Sequence, residues 1–272
     1  MAEENPVVRV AIVGAAGKMG REALIALGTD DRFEIVAAVN RSHVGENCRL
    51  VAGPEAPDLT IEGKLGVALD TSKPDVLLEL THGGSAPEYG TSAMKRGIAV
   101  VVGSSGIGPD GLSALRNSSI EFGCPCLLVP NFAVGAVVMM RLVETVAPWM
   151  PDAEIVEMHH SGKLDAPSGT SMHTAELISE ARTRRPVRNT MAVEKAQGAR
   201  GAAVHDVRVH SVRLPGLVAH QTVMFGGEGE LLTIRHDSMD RRSFMPGVKL
   251  SILGVRDLSG FVVGLDKVMF PA

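Results

Sequence analysis

The sequence predicts an α/β chain with a second, α+β domain built on a mixed sheet, and three observations carry that expectation. Apolar runs alternate with segments of helical spacing as far as Phe132. A glycine-rich turn joins the first run to the first helix. Beyond Val204, three strand-like runs follow one another without an intervening helix. Continuous apolar strands separated by helices belong to a parallel sheet covered on both faces. Consecutive strands joined by glycine-rich turns belong to an antiparallel or mixed sheet.

Taken in order, "VVRVAIVG" (7–14) is a β-branched run closed by glycine. "KMGREALIALGTD" follows with Met19, Ala23, Ala26 and Leu27 at helical spacing. "FEIVAAVN" (33–40) and "PDVLLELT" (74–81) read as strands. "APEYGTSAMKRG" (86–97) reads as a helix stopped by Gly97, and "IAVVVGSSG" (98–106) as a buried strand. "DGLSALRNSSIEFG" (110–123) is a helix and "PCLLVPNF" (125–132) again a strand. The long apolar helix "AVGAVVMMRLVETVAPWM" (133–150) then changes the character of the chain and ends near Pro148. A strand at "DAEIVEMHH" (152–160), a helix at "SGTSMHTAELISEARTRR" (168–185) and a small-residue loop at 192–203 come next. "VHDVRVHSVRL", "GLVAHQTVMFGG" and "GELLTIRHDSM" are the three successive strands. "SFMPGVKLSILGVRDL" (243–258) reads as helical and returns to the first domain. The domains expected are therefore 1–132 with 243–272, and 133–242.

Composition narrows the function. A chain of 272 residues that is 45% hydrophobic and 21% charged has ample material for a core in each domain. Its formal net charge of -4 lacks the basic footprint of a nucleic-acid binder, so no such partner is expected. No apolar run approaches the ~20 residues of a membrane helix. "MAEENPVVRV" has no basic stretch followed by an apolar one, so no signal peptide is expected. Cys48, Cys124 and Cys126 are too few and odd in number for a disulfide framework. Buried thiols in a reducing, cytoplasmic setting are the expectation.

Gly14-Ala15-Ala16-Gly17-Lys18-Met19-Gly20 sits between the first strand and the first helix. Its G-x-x-G-x-x-G spacing is a variant of the dinucleotide fingerprint, in which glycines let the backbone approach a pyrophosphate at the helix N-terminus. The first domain is thus expected to be a Rossmann-like dinucleotide-binding domain; a glycine-lined turn without a ligand is the blander reading. At the end of the second strand, Asn40 lacks the charge that would repel a 2′-phosphate, and Arg41 can attract one. This favours NADPH, or tolerance of NADPH and NADH. Thr81-His82-Gly83-Gly84, Gly103-Ser104-Ser105-Gly106 and Val129-Pro130-Asn131-Phe132 follow three further strands. In an open parallel sheet, ligands bind at that carboxyl edge, so these loops are candidate walls for a nicotinamide.

"MHHSGKLDAPSGT" (158–170) concentrates the remaining chemistry. Consecutive strand residues point to opposite faces, so His159 and His160 are not placed to share a metal. The histidines at 173, 205, 210, 220 and 236 have no ligand spacing either, and no metal site is expected. Lys163 offers a fixed charge or a proton, and histidine titrates near neutrality. Asp165 or Ser168 caps a helix whose first amides, at Gly169 and Thr170, can hold a carboxylate. Two readings stay open on this chemistry: a pocket for a small di-anion, or a capped helix beside solvated histidines.

"HHSGKLDAPSGT", with GAAGKMG before it and GSSG and PNFAVG between, resembles the 4-hydroxy-tetrahydrodipicolinate reductase (dihydrodipicolinate reductase) family. The likeness continues through "VHSVRLPGLVAHQTVMFGGEGELLTIRHDS" and "SFMPGV". It implies an oxidoreductase of the diaminopimelate and lysine pathway. Such an enzyme uses NADPH or NADH to convert 4-hydroxy-tetrahydrodipicolinate to tetrahydrodipicolinate with loss of water. It also implies a substrate-binding second domain that builds a homotetramer. By this resemblance His159 is the acid/base histidine and Lys163 the proton-donating lysine, while His160, Gly169, Thr170 and Ser105 hold the dicarboxylate. Gly14 to Met19, Gly103 to Ser105 and Val129 to Phe132 match the segments that touch the cofactor; Asn40, Arg41 and Thr81 are cofactor-binding candidates from their places at strand ends. Two positions depart from the family pattern: Asn40 stands where an acid is usual, and Ser104-Ser105 replaces a Thr-Thr pair. Rival readings are another two-domain NAD(P)-dependent dehydrogenase of an amino-acid-like anion, or a non-catalytic NADPH-binding redox sensor.

Overall fold

The computed structural model describes residues 6–184 and 193–271. It divides into two compact units, one running to Val134 and resuming at Phe244, the other Gly135–Ser243. In the first unit the chain runs β1 (Val8–Val13), α1 (Lys18–Gly28), β2 (Phe33–Val39), α2 (Cys48–Ala52), β3 (Ile61–Glu62) and α3 (Leu65–Ser72). It continues with β4 (Val76–Glu79), α4 (Ala86–Met94), β5 (Ala99–Val102), α5 (Pro109–Phe122) and β6 (Cys126–Leu128). From α6 (Val134–Val146) the second unit follows: β7 (Asp152–His159), α7 (Gly169–Ala181), β8 (Ala202–Val204), β9 (Val207–Arg213), β10 (Ala219–Gly227) and β11 (Glu230–Ser238). The first unit is then completed by α8 (Met245–Gly254), β12 (Phe261–Val263) and α9 (Asp266–Met269).

The first sheet has the order β12-β6-β5-β4-β1-β2-β3, and every pair is parallel. Its strands are buried on both faces, as the unbroken apolar runs require: Val10, Ala11 and Ile12 of β1 and Val76, Leu77 and Leu78 of β4 have no exposed surface. Cys48, Cys124 and Cys126 are free and buried in this unit, and burial pushes the Cys126 thiol up to about 12. The last elements are integral to it. β12 pairs parallel with β6, and a side chain at Gly247 would collide with the carbonyl oxygen of Phe132. Lys249 of α8 binds Asp30 at 2.8 Å.

Asp30 also gives a pH prediction. The Arg32 guanidinium, with Lys249 beside it, holds its carboxyl well below the usual range. A depressed carboxyl contributes stability above its unfolded pKa, about 3.9, and loses it as pH falls further. Asp30→Asn is therefore expected to lower Tm at pH 7, with the difference shrinking in melts taken below about pH 4.

The second sheet is mixed, with order β11-β10-β7-β9-β8. β7 and β9 are parallel, and the other neighbours antiparallel. One face packs on α6 and α7: Met139 and Val143 meet Ile155, Ala175, Ile178, Val209, Val223 and Phe225.

Several local expectations are corrected. Residues 202 and 203 of the expected loop form β8 with Val204, because antiparallel pairing with β9 supplies backbone bonds that alanine-rich sequence does not advertise; residue 192 lies outside the described residues. The helix expected over 168–185 spans Gly169–Ala181, where Arg182 turns to an extended backbone; residue 185 lies outside the described residues. The helical segment at 243–258 is three pieces, α8 between two 3-10 turns. α2, β3, α3, β12 and α9 are too short or too weakly periodic to be assigned from sequence.

Candidate active site

In the first sheet the chain winds outward from β1 through β2 to β3, then crosses to β4 on the other side of β1. The carboxyl ends of β1 and β4 therefore flank a topological switch point, where such sheets bind ligands. Gly14 closes β1 with φ of 86°, and a Cβ there would lie 2.5 Å from the Leu80 carbonyl oxygen. A Cβ on Gly20 would lie 2.2 Å from the Gly14 carbonyl oxygen, so α1 approaches the turn as only glycine allows. Gly17 caps α1 without a side-chain hydrogen bond. The first-turn N–H groups of α1 are left to an acceptor from outside, such as a diphosphate.

A cavity of about 410 Å³ opens here, lined by Gly14, Gly17, Asn40, Arg41, Thr81 and His82 among others. The Asn40 amide nitrogen donates to the Ser42 carbonyl and hydroxyl oxygens, at 3.0 and 2.8 Å, and so stiffens the turn. Arg41 Nη2 lies 3.4 Å from His82 Nε2, which lies 3.1 Å from Ser85 Oγ. Glu79, buried at the end of β4, accepts from both the N–H and the hydroxyl of Thr81. Ala15, Ala16, Lys18 and Met19 shape the turn and helix start without lining this cavity. Ala15 is wholly buried, and the Ala16 carbonyl accepts from Arg21 Nε at 2.9 Å.

Gly103, Ser104 and Ser105 follow β5, and Val129, Pro130, Asn131 and Phe132 follow β6, on the same carboxyl edge. Phe132 packs so close to Gly103 that a Cβ there would meet its ring at 2.6 Å. The Asn131 side chain accepts from Ala133 N–H at 2.8 Å. Among the described residues, the buried Ser104 hydroxyl and Glu79 Oε2 have no hydrogen-bond partner. Buried polar atoms are seldom left so, and this edge suits a polar ligand group.

The second unit builds its polar site by changing residue type along one face of the mixed sheet. Val223, Ile155 and Val209 sit side by side on β10, β7 and β9, all in the core. Two residues on, the same three strands present Gln221, Glu157 and Ser211. Two further, they present Ala219, His159 and Arg213. Gln221 is buried and satisfied by α7, accepting from Ser171 Oγ at 2.7 Å and donating to Thr174 Oγ1 at 2.9 Å. Glu157 has no exposed surface. It takes a two-pronged contact from Arg213, at 2.8 and 3.0 Å, and a short contact from His159 Nδ1. Burial pushes its carboxyl up, but hydrogen bonds from Arg213, Ser211 and His159 outweigh that and hold it below the usual range. Burial, with the charges of Lys163 and Arg213, lowers the pKa of His159 despite its contact with Glu157.

β7 ends at His159, and the turn after it is closed by Lys163 N–H donating to the His160 carbonyl at 3.1 Å. His160 is exposed, whereas only 14% of the His159 side chain is. The two residues thus differ in exposure, His160 lying just beyond the end of β7. Lys163 Nζ donates to both oxygens of Asp165, at 2.8 and 3.0 Å, and holds that carboxyl below its usual range. Ser168 caps α7, its hydroxyl accepting from Ser171 N–H, so α7 opens at Gly169 and Thr170. Ser105 belongs to the first unit and His160, Gly169 and Thr170 to the second. Among the described residues, no group of three or more His, Cys, Asp or Glu side chains is arranged to hold a metal.

Two family models match in tandem: "Dihydrodipicolinate reductase, N-terminus" over residues 8–132, and "Dihydrodipicolinate reductase, C-terminus" over residues 135–269. The chain belongs to the dihydrodipicolinate reductase family. It is 44% identical over 262 residues to the 4-hydroxy-tetrahydrodipicolinate reductase of Halalkalibacterium halodurans, covering 96% of this chain and 99% of that one. It is 43% identical to that of Bacillus cereus strain AH187, covering 96% and 98%. The solved structure of a dipicolinate-bound dihydrodipicolinate reductase from Paenisporosarcina sp. TG-14 matches with a TM-score of 0.83 at 38% identity, over 96% of this chain and 99% of that one. An amine dehydrogenase from Mycobacterium smegmatis, at 13% identity and a TM-score of 0.66, shares the fold alone. The chain is an NAD(P)H-dependent oxidoreductase of the diaminopimelate and lysine route, as the resemblance implied. Sequence reading missed Glu157, Arg213 and Gln221. The one available signal was an acid two residues beyond Ile155, on the face that the core occupies.

Proposed function

We propose that the first unit binds the dinucleotide at the β1/β4 switch point and that the second binds 4-hydroxy-tetrahydrodipicolinate around Lys163. The observation that carries the reading is the segment from His159 to Gly169, which supplies an imidazole at the end of β7, a lysine and the N-terminus of α7 along one loop. The glycine cradle at Gly14, Gly17 and Gly20 and the uncapped start of α1 fit a diphosphate. The Gly103–Ser105 and Val129–Phe132 loops fit the nicotinamide end, where the Ser104 hydroxyl offers an unsatisfied polar group. Arg41 and His82 suit a 2′-phosphate, and Asn40 does not repel one, so NADPH is the better cofactor and NADH is tolerated.

When bound, the reduced nicotinamide supplies hydride to C4 of the ring from which the 4-hydroxyl has left as water. Lys163 and the amides of Gly169 and Thr170 hold a carboxylate, and His160 orients the ring. Burial lowers the pKa of His159 and so favours its neutral ring, which takes a proton before it gives one. Lys163 is then the first donor, its proton going to the ring carbon between C4 and the imine carbon so that the C=N is restored, and His159 relays the replacement.

The test is steady-state reduction of enzymatically made substrate with NADH and NADPH in parallel. Consumption of neither cofactor would sink the reading. Arg41→Ala is expected to raise the KM for NADPH about 10-fold, the worth of one charge-assisted hydrogen bond, while leaving that for NADH unchanged.

We also propose a homotetramer in the cytoplasm. β11 is a nine-residue edge strand with Leu231 66% and Leu232 38% exposed, an edge that a second copy would cover. Free buried cysteines fit a reducing compartment. Light scattering that returned a monomer mass at micromolar concentration would refute the assembly.

A further inference from the structure

We propose that Glu157 and Arg213 are positioning residues for the reduction, Glu157 by fixing the tautomer of His159 and Arg213 by tying that pair to the loop that carries Lys163. The inference rests on the reading of His159 and Lys163 as the proton-transfer groups. Its basis is one connected set of contacts. Glu157 Oε2 meets His159 Nδ1, while Arg213 binds Oε2 at 3.0 Å and Oε1 at 2.8 Å. The same Arg213 Nη2 donates to the Asp165 carbonyl oxygen at 2.7 Å. Asp165 in turn is the partner of Lys163. The His159 carbonyl accepts from Leu214 N–H at 3.1 Å, which fixes the end of β9 against the same strand.

A carboxylate accepts and does not donate, so an ionised Glu157 requires the proton of a neutral His159 to sit on Nδ1. Nε2 is then the nitrogen that exchanges a proton. The groups acting on the ring are Glu157 from its own strand, Arg213 from β9 and Lys163 from the loop, while β10 places uncharged Ala219 opposite. Arg213 is suited to its double task because a guanidinium presents several donors in a fixed fork. A lysine has the charge without the fork. Register explains how they meet: β7 and β9 are parallel, with Glu157 opposite Ser211 and His159 opposite Arg213.

Two measurements on the whole 272-residue chain test this. In uniformly 15N-labelled wild-type protein, the imidazole nitrogen shifts of His159 are expected to report the Nδ1–H tautomer at neutral pH. The Nε2–H tautomer there would overturn the proposal, with no variant needed. In Glu157→Gln, kcat is expected to fall about 10²-fold, the low end for a disturbed proton-transfer group. The limb of the pH–rate profile governed by His159 should move down by about one pH unit, because the carboxylate that favours its charged form is gone. The KM for the dicarboxylate should change little. Arg213→Lys should lower kcat and raise that KM together, since the Lys163 loop loses its tie. A loss of rate with an unshifted pH limb in Glu157→Gln would mark a merely structural carboxylate and overturn the inference. His159→Ala separates the two layers: if it kept full turnover, the reading of the proton-transfer groups would itself be wrong.

Discussion

Lys163→Ala and His159→Ala are expected to lose about 10²–10⁴ in kcat, the usual cost of removing a positioned proton-transfer group. Dinucleotide affinity should be unaffected, because Gly14, Gly17, Arg41 and Thr81 belong to the other unit. The two variants should differ in one respect. Lys163 also faces a carboxylate in the proposed complex, so its loss raises the KM for substrate as well. His159, largely shielded and held against Glu157, should act on kcat alone. Steady-state kinetics with saturating NADPH, beside a fluorescence titration of cofactor binding, checks both. Near-full turnover in either variant would remove that residue from the mechanism, and weakened cofactor binding in both would point to misfolding instead.

Arg213→Met is expected to cost about 3–5 kcal/mol of stability, because it leaves Glu157 buried with no counter-ion. The loss should depend on pH with a definite sign. In the wild type the Glu157 carboxyl is held below its usual range, so it contributes stability above its unfolded pKa, about 4.3, which is lost as pH falls further. Without Arg213 the burial that pushes this carboxyl up acts with less opposition. A carboxyl raised in the folded state destabilises increasingly as pH climbs past its unfolded pKa. The Tm gap between wild type and Arg213→Met should therefore widen between pH 4 and pH 7. A gap that stayed constant, or narrowed, would show that Glu157 does not depend on Arg213 for its charge.

The sequence made the first sheet legible because a parallel strand buried on both faces leaves an unbroken apolar run, as "VVRVAIVG" and "IAVVVGSSG" do. The glycine turn was legible for a related reason: Gly14 and Gly20 each occupy a place that a methyl group would fill with backbone. β3, with two residues, and α2, with five, are too short for any period to register. In the candidate site, the residues of one continuous string could be read together, from His159 through Thr170. Those that meet across strands could not. Glu157 and Arg213 are separated by 56 positions, and nothing local to either announces the other. The same holds for Arg41 and His82, which the β1/β4 switch point brings onto one cavity. Pairing partners across a sheet are a property of register, and register is settled by the whole fold.

The interrupted path of the first unit has a consequence for how the chain is made. Gly135–Ser243 is one unbroken stretch, whereas its neighbour needs α8 and β12 before its sheet and the packing against Phe132 are complete. During synthesis from the N-terminus, β6 waits with an open edge until residues beyond 260 have emerged. The inserted unit has every one of its strands available earlier. The unit that is encoded first is therefore the one that finishes last, and the edge of β6 is where a nascent or truncated chain is most exposed to pairing with another.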